Sequence, residues 1–299
     1  MTDGVPSVSA KSTVTPFGER LAQTFAAYGQ LCVGIDPHSW LLTDWGLPDT
    51  ADGAESFGRT VVAAAAGQAG IVKPQVAFYE RFGSAGFIAL ERVLADARAA
   101  GLLVIGDAKR GDLGTSVEAY AEAWLTPGSP LEVDALTVSG YMGVGSLDTA
   151  IAVARRAGKG LFLLAATSNP EGAALQRALV GEGAHAGKTV ASAILDDVAE
   201  RNSLVDSGAL GSLGVVLGAT VDLAGFGIDV HAAPAAALTP VLAPGFGHQG
   251  AELAAVNSLF GGYAPGVILS ESRSILSAGP DRITKTIQHR VVEAGTARG

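Results

Sequence analysis

Acid and base stand side by side at the ends of three apolar runs. The densest is "LLVIGDAKRGD", where Leu102–Ile105 is wholly aliphatic and Asp107, Lys109, Arg110 and Asp112 follow within seven residues. Lys73 and Gln75 close "GIVKPQ", and Asp36 closes "LCVGID". The chain has only six lysines, and two of them fall in these runs. Residues two apart on a strand point the same way, so Asp107 and Lys109 are expected to project together, as are Lys73 and Gln75. An ammonium flanked by carboxylates stays protonated. Fixed in a water-poor site, it meets negative charge developing on a reacting atom. Solvated, inert ion pairs at strand ends are the bland alternative. Five such residues at three consecutive strand ends weigh against it.

A second cluster lies near the C-terminus. "LAPGFGHQG" (242–250) is glycine-rich and contains Gly247 and Gln249, and "SESR" ends in Arg273. Glycine-rich turns bind phosphate through backbone N–H groups, and arginine adds a two-pronged, charge-assisted grip. Glu271 must point away from a phosphate bound there. Other chemistries lack their motifs. The five histidines have no metal-ligand spacing, and HExxH, CxxC, GxSxG and the Walker sequence are all absent. Metal and nucleophilic-serine readings are therefore unsupported. The single cysteine, Cys32, sits in an apolar run and reads as a buried, inert thiol in a reducing compartment.

These side chains need a scaffold that gathers strand ends. Eight runs rich in Val, Ile and Leu occur at 31–36, 70–75, 102–109, 135–140, 161–168, 213–220, 240–245 and 266–272. Continuous hydrophobicity marks strands covered on both faces, and Ala-rich helical segments lie between them. Eight strand–helix units in 299 residues predict a (β/α)8 (TIM) barrel over residues 17–299, a single catalytic domain preceded by a flexible segment over 1–16. An open Rossmann-like sheet is the runner-up, without GxGxxG after its first strand. Long connections after strands 1 and 5 are expected on the active face, the latter as a lid together with the Gly245–Gly250 loop.

The net charge of −9 argues against a nucleic-acid or anionic-membrane binder. The polar N-terminus has no signal-like apolar core, and "VVAAAAGQAGIV" is too short to span a bilayer. The expectation is a soluble, cytoplasmic protein.

At "DAKRGD" the chain resembles the orotidine 5′-phosphate decarboxylase family, specifically its longer bacterial branch. "GIDPH", "VKPQVAFYE", "DAKRGDLGTS", "ATSNP", "APGFGHQG" and "SESRSIL" follow in the family's order from about residue 17. The resemblance implies conversion of orotidine 5′-monophosphate to UMP and carbon dioxide without a cofactor. By motif, Lys73, Asp107, Lys109 and Asp112 form the charged network, with Lys109 against pyrimidine C6 and Asp107 beside the substrate carboxylate. Asp36 and Lys73 hold ribose hydroxyls, Ser168 meets the pyrimidine edge, and Gly247, Gln249 and Arg273 belong to the phosphate loops. Asp112, with Ser116 nearby, would cross to a partner's site in a homodimer. The chain departs from the pattern at Leu113, where isoleucine is usual, and at "TVSGYMG", which lacks Asn-Pro and leaves Ser139 and Tyr141 without an assigned role. Three other functions compete: a metal-dependent sugar-phosphate decarboxylase or aldol-type synthase, a non-catalytic nucleotide-binding barrel, and a Schiff-base lyase.

Overall fold

Each of the eight apolar runs forms a parallel strand. A computed structural model describes residues 14–206, 208–232 and 237–296. In it β1 (Leu31–Ile35), β2 (Ile71–Pro74), β3 (Leu103–Arg110), β4 (Ala135–Val138), β5 (Gly160–Ala166), β6 (Leu213–Leu217), β7 (Val241–Pro244) and β8 (Val267–Glu271) pair in sequence order. The sheet closes where β8 meets β1. The expected flexible segment over 1–16 falls mainly on residues 1–13, outside the described residues. Helices follow the strands as the Ala-rich segments predict, with one exception. Among the described residues, β6 is followed only by a 3-10 turn, Ala224–Phe226.

The closed sheet divides the apolar side chains into two populations. One fills the space between strands and outer helices. The other fills the barrel with Cys32, Ile71, Ile105, Phe162, Leu242 and Ile268. The helix Phe17–Tyr28 joins this inner set through Phe17, Leu21 and Phe25 and plugs the floor of the barrel. Phe17 meets Phe162 edge-on at 5.9 Å. A Cβ at Gly160 would come within 2.5 Å of the Phe17 ring, so only glycine fits there. Burying each of these three side chains is worth about 1.5–3 kcal/mol. Arg20 pins the plug by reaching Asp134 at 2.6 Å and the Gly158 carbonyl at 2.8 Å. A sealed floor leaves the opposite end, where the strands finish, as the place for chemistry.

The long connection after β1 is packed down rather than left as a lid. Trp45 is buried against Phe57 and donates its indole N–H to the Leu276 carbonyl at 3.0 Å. The connection after β5 is more exposed. It carries a 3-10 turn (Pro170–Gly172) and a short helix (Ala173–Gln176), anchored by Gln176 on Thr167 and by Arg177 on the Gly225 carbonyl.

Candidate active site

Asp107, near the end of β3, gathers four donors. Lys73 Nζ lies 2.9 Å from its Oδ2, and Lys109 Nζ lies 2.6 Å from its Oδ1. The Thr137 hydroxyl of β4 donates to Oδ1 at 2.9 Å. Gln75, with its amide nitrogen turned toward Asp107, donates to Oδ2 at 2.7 Å and to the backbone carbonyl at 2.9 Å. A carboxylate offers about four lone-pair sites, so Asp107 is saturated.

The pairing of Asp107 with Lys109 does not come from simple alternation along the strand. Gly106 pairs with Leu136 and Arg110 with Val138, so Thr137 alone on β4 faces Asp107, Ala108 and Lys109 on β3. This bulge turns Lys109 into the left-handed region at φ 49°, the only non-glycine residue with positive φ among those described. Such backbone strain clusters at functional sites. The bulge bends the chain so that the Lys109 side chain folds back onto Asp107 while remaining half-exposed on the open face.

The charges hold one another ionised. Burial alone would raise Asp107, but Lys73 and Lys109 outweigh it and keep the carboxyl well below the usual carboxylate range. Burial alone would lower Lys73, yet Asp107 and then Asp36 push it above the ordinary ammonium value. The Cys32 thiol beneath them is driven up to about 12, first by burial, and so stays neutral.

Lys73 and Gln75 also line a cavity of about 300 Å³ that runs from Asp36 and His38 to Gln249 and Arg273. Asp36 accepts from the Ser272 hydroxyl at 2.5 Å through Oδ2, while its Oδ1 is buried with no hydrogen-bond partner among the described residues. Arg273 opens the short helix Arg273–Leu276 and makes no ion pair with any described residue. Gly247 has φ 69°, and a Cβ there would sit 2.6 Å from Ser274 Oγ. Its N–H bonds the Ala251 carbonyl at 2.9 Å, so this glycine serves the turn itself. Glu271 faces outward as required: it pairs with Arg290 on the helix Ile283–Thr296 and accepts from Ser274 at 2.9 Å.

Three of the expected site residues stay apart from this cluster. Asp112 caps the Leu113 N–H at 2.8 Å and contacts neither lysine. Ser116 is exposed in the first turn of the helix Gly114–Leu125, and Ser168 is exposed beyond β5. Sequence reasoning missed Thr137. Its signal was a single hydroxyl inside the apolar run "ALTV", on the strand next to "DAK".

Among the described residues the arrangement offers a fixed cation pair, a saturated carboxylate, an unfilled buried acceptor and an unpaired guanidinium at the far end of one cavity. Comparison with known proteins finds the same combination of length and sequence order elsewhere. A relative from Salinispora arenicola named orotidine 5′-phosphate decarboxylase is 48% identical over 265 residues, covering 89% of this chain and 91% of that protein. One of the same name from a Nocardioides species is 50% identical over 261 residues, covering 87% and 92%. A crystal structure from Streptomyces avermitilis matches with a TM-score of 0.87 at 44% identity, covering 98% of this chain and 99% of that one. The structure of Leishmania donovani OMP decarboxylase matches at 0.73 and 26% identity, covering 95% and 99%. The model of the orotidine 5′-phosphate decarboxylase / HUMPS family matches residues 29–281, and the chain belongs to that family.

Proposed function

We propose that this chain decarboxylates orotidine 5′-monophosphate to UMP and carbon dioxide, the last step of de novo pyrimidine nucleotide synthesis, without a cofactor. The observation that carries this reading is the pair of ammonium groups on one ionised carboxylate, beside a cavity with a free guanidinium at its far end. Breaking the bond from C6 to the carboxylate releases carbon dioxide and leaves the electron pair in the ring plane, where no π-system absorbs it. Lys109 meets that charge and then delivers an Nζ proton to C6, regaining one from solvent. A preorganised cation, dried once substrate and the connection after β5 cover it, suits this task because it needs no reorientation during the reaction. Arg273 and Gln249 take the phosphate, whose binding energy orients the ring. The free oxygen of Asp36 accepts from a ribose hydroxyl, and Ser168 meets the pyrimidine edge once the connection after β5 folds inward.

A second copy of the chain completes the site in this reading. Asp112 and Ser116 make no hydrogen bond or ion pair with their own cluster and are offered to a partner. Leu113, Tyr141 and Met142, in the two adjoining loops, are exposed and suit burial in such a contact. Among the described residues no helix is long and apolar enough to cross a membrane. With the buried free thiol, that fits work in the cytoplasm.

The test is the loss of orotidylate absorbance on adding the protein, with and without excess chelator. Equal rates in both arms are expected. No turnover in either arm sinks the reading. Turnover abolished by chelator overturns the cofactor-free part of the reading.

A further inference from the structure

We propose that Thr137 is a positioning residue for this reaction: its hydroxyl holds the Lys109 turn and the Asp107 carboxylate in one fixed relation, and so sets where the reacting ammonium stands. The inference rests on the decarboxylase reading above and goes beyond it.

The geometry singles out this side chain. Thr137 is the one β4 residue opposite the three-residue bulge of β3, where regular ladder bonding is interrupted. The Thr137 hydroxyl bridges that gap in both directions. It accepts the Lys109 backbone N–H at 3.0 Å and donates its own hydrogen to Asp107 Oδ1 at 2.9 Å. Lys109 Nζ rests on that same oxygen at 2.6 Å. One hydroxyl therefore fixes both ends of the lysine, its backbone directly and its ammonium through Asp107. A left-handed backbone conformation is unfavourable for a non-glycine residue and persists only where its surroundings enforce it. The bond to the Lys109 N–H is that enforcement.

Around Asp107 the remaining places are filled. Lys73 and Gln75 come from β2 and the residue following it, Lys109 from β3, and Asp36 and the Cys32 thiol stand on the β1 side behind Lys73. None of these reaches the Lys109 N–H. Thr137 is buried, with relative exposure of 1%, so water does not replace the hydroxyl when it is removed.

Thr137→Val keeps the shape and removes both bonds, while Thr137→Ser keeps both. Three readouts are taken on each full-length variant: kcat and KM for orotidine 5′-monophosphate, the melting temperature, and the crystal structure without ligand. For the valine variant kcat is expected to fall about a hundredfold, the scale at which a misplacement of about 1 Å acts, with KM within about threefold. Serine is expected to restore kcat to within about threefold of the parent, as rescue by the retained hydroxyl. In the valine crystal the Lys109 φ is expected to leave the left-handed region. Unchanged kcat in the valine variant overturns the proposal, as does an equally impaired serine variant. If the parent itself releases no carbon dioxide, the decarboxylase reading is at fault. The crystal then still decides the positioning role, because a Lys109 that keeps its turn and its contact with Asp107 without the hydroxyl refutes it.

Discussion

Ser272 donates its hydroxyl to Asp36 across the seam where β8 meets β1, occupying one carboxylate oxygen and leaving the other buried and unpartnered. The seam is tight because β1 has glycine there: a Cβ on Gly34 would fall 2.7 Å from the Ser272 Cβ. A buried acceptor without a donor costs about 1–3 kcal/mol, which a ligand hydroxyl recovers on binding. Asp36→Ala is therefore expected to raise KM for orotidine 5′-monophosphate about 10- to 100-fold. Unaltered KM would remove Asp36 from the binding surface.

In the proposed mechanism Lys109→Ala removes the cation assigned to C6 and leaves the far end of the cavity intact. Turnover is expected to drop more than about a thousandfold, beyond the loss of a typical single stabilising donor. UMP affinity, measured by calorimetry, should change by less than about tenfold. Turnover near the parent's would dismiss the carbanion role.

Arg273 has no described ion-pair partner to lose, so its replacement disturbs little besides the ligand. Arg273→Ala should raise KM for the phosphorylated substrate by at least about tenfold, consistent with the loss of a charge-assisted hydrogen bond. A phosphate-free nucleoside should be affected much less. Equal losses for the two would place the guanidinium elsewhere on the substrate.

Acid should unfold the protein through Asp107. Its carboxyl is held below the ordinary range in the folded chain. The stabilisation is fully present above the unfolded value near ~4 and is lost as pH falls through the lower folded value. Lys73 runs the other way: raised when folded, it contributes below its unfolded value and is lost only in strong alkali. Between those limits neither group changes charge. Melting temperature against pH should fall in acid for the parent and respond less for Asp107→Asn. Parallel acid limbs would show that other carboxylates govern it.

If Asp112 serves a partner's site, two inactive variants should complement each other. Mixing Lys109→Ala with Asp112→Ala after exchange of subunits yields mixed dimers with one intact site each. Activity above that of either variant alone is expected in the orotidylate assay. A mixture as inactive as its components would confine Asp112 to its own subunit.

The barrel and most of the cluster were legible because they depend on local signals. Continuous aliphatic runs gave the strands within three residues at every end, and a polar residue ending such a run, as at Asp36, Lys73 and Asp107, has to lie at or near a strand end. What was hidden depended on pairing between strands. Alternation alone would place Lys109 beside Asp107 on a regular strand, yet the contact is made through a bulge that only the β3–β4 register creates. Thr137 reads as part of an apolar strand because one of its partners is a backbone N–H, invisible in residue types, and the other is set by the β3–β4 register. The orientation of Glu271 was decided by Arg290, 19 residues downstream on another element. Gly247, placed in the phosphate loop, has its N–H engaged by the Ala251 carbonyl, a pairing that residue types do not show.

The helix that plugs the barrel floor also decides how the molecule can be handled. Since Phe17 and its neighbours are seated at the pole opposite the reaction mouth, a fusion partner or bead linker joined at Val14 starts from the blind end. Enzyme immobilised in that way would present its mouth to a flowing substrate, whereas coupling through the rim would shade it.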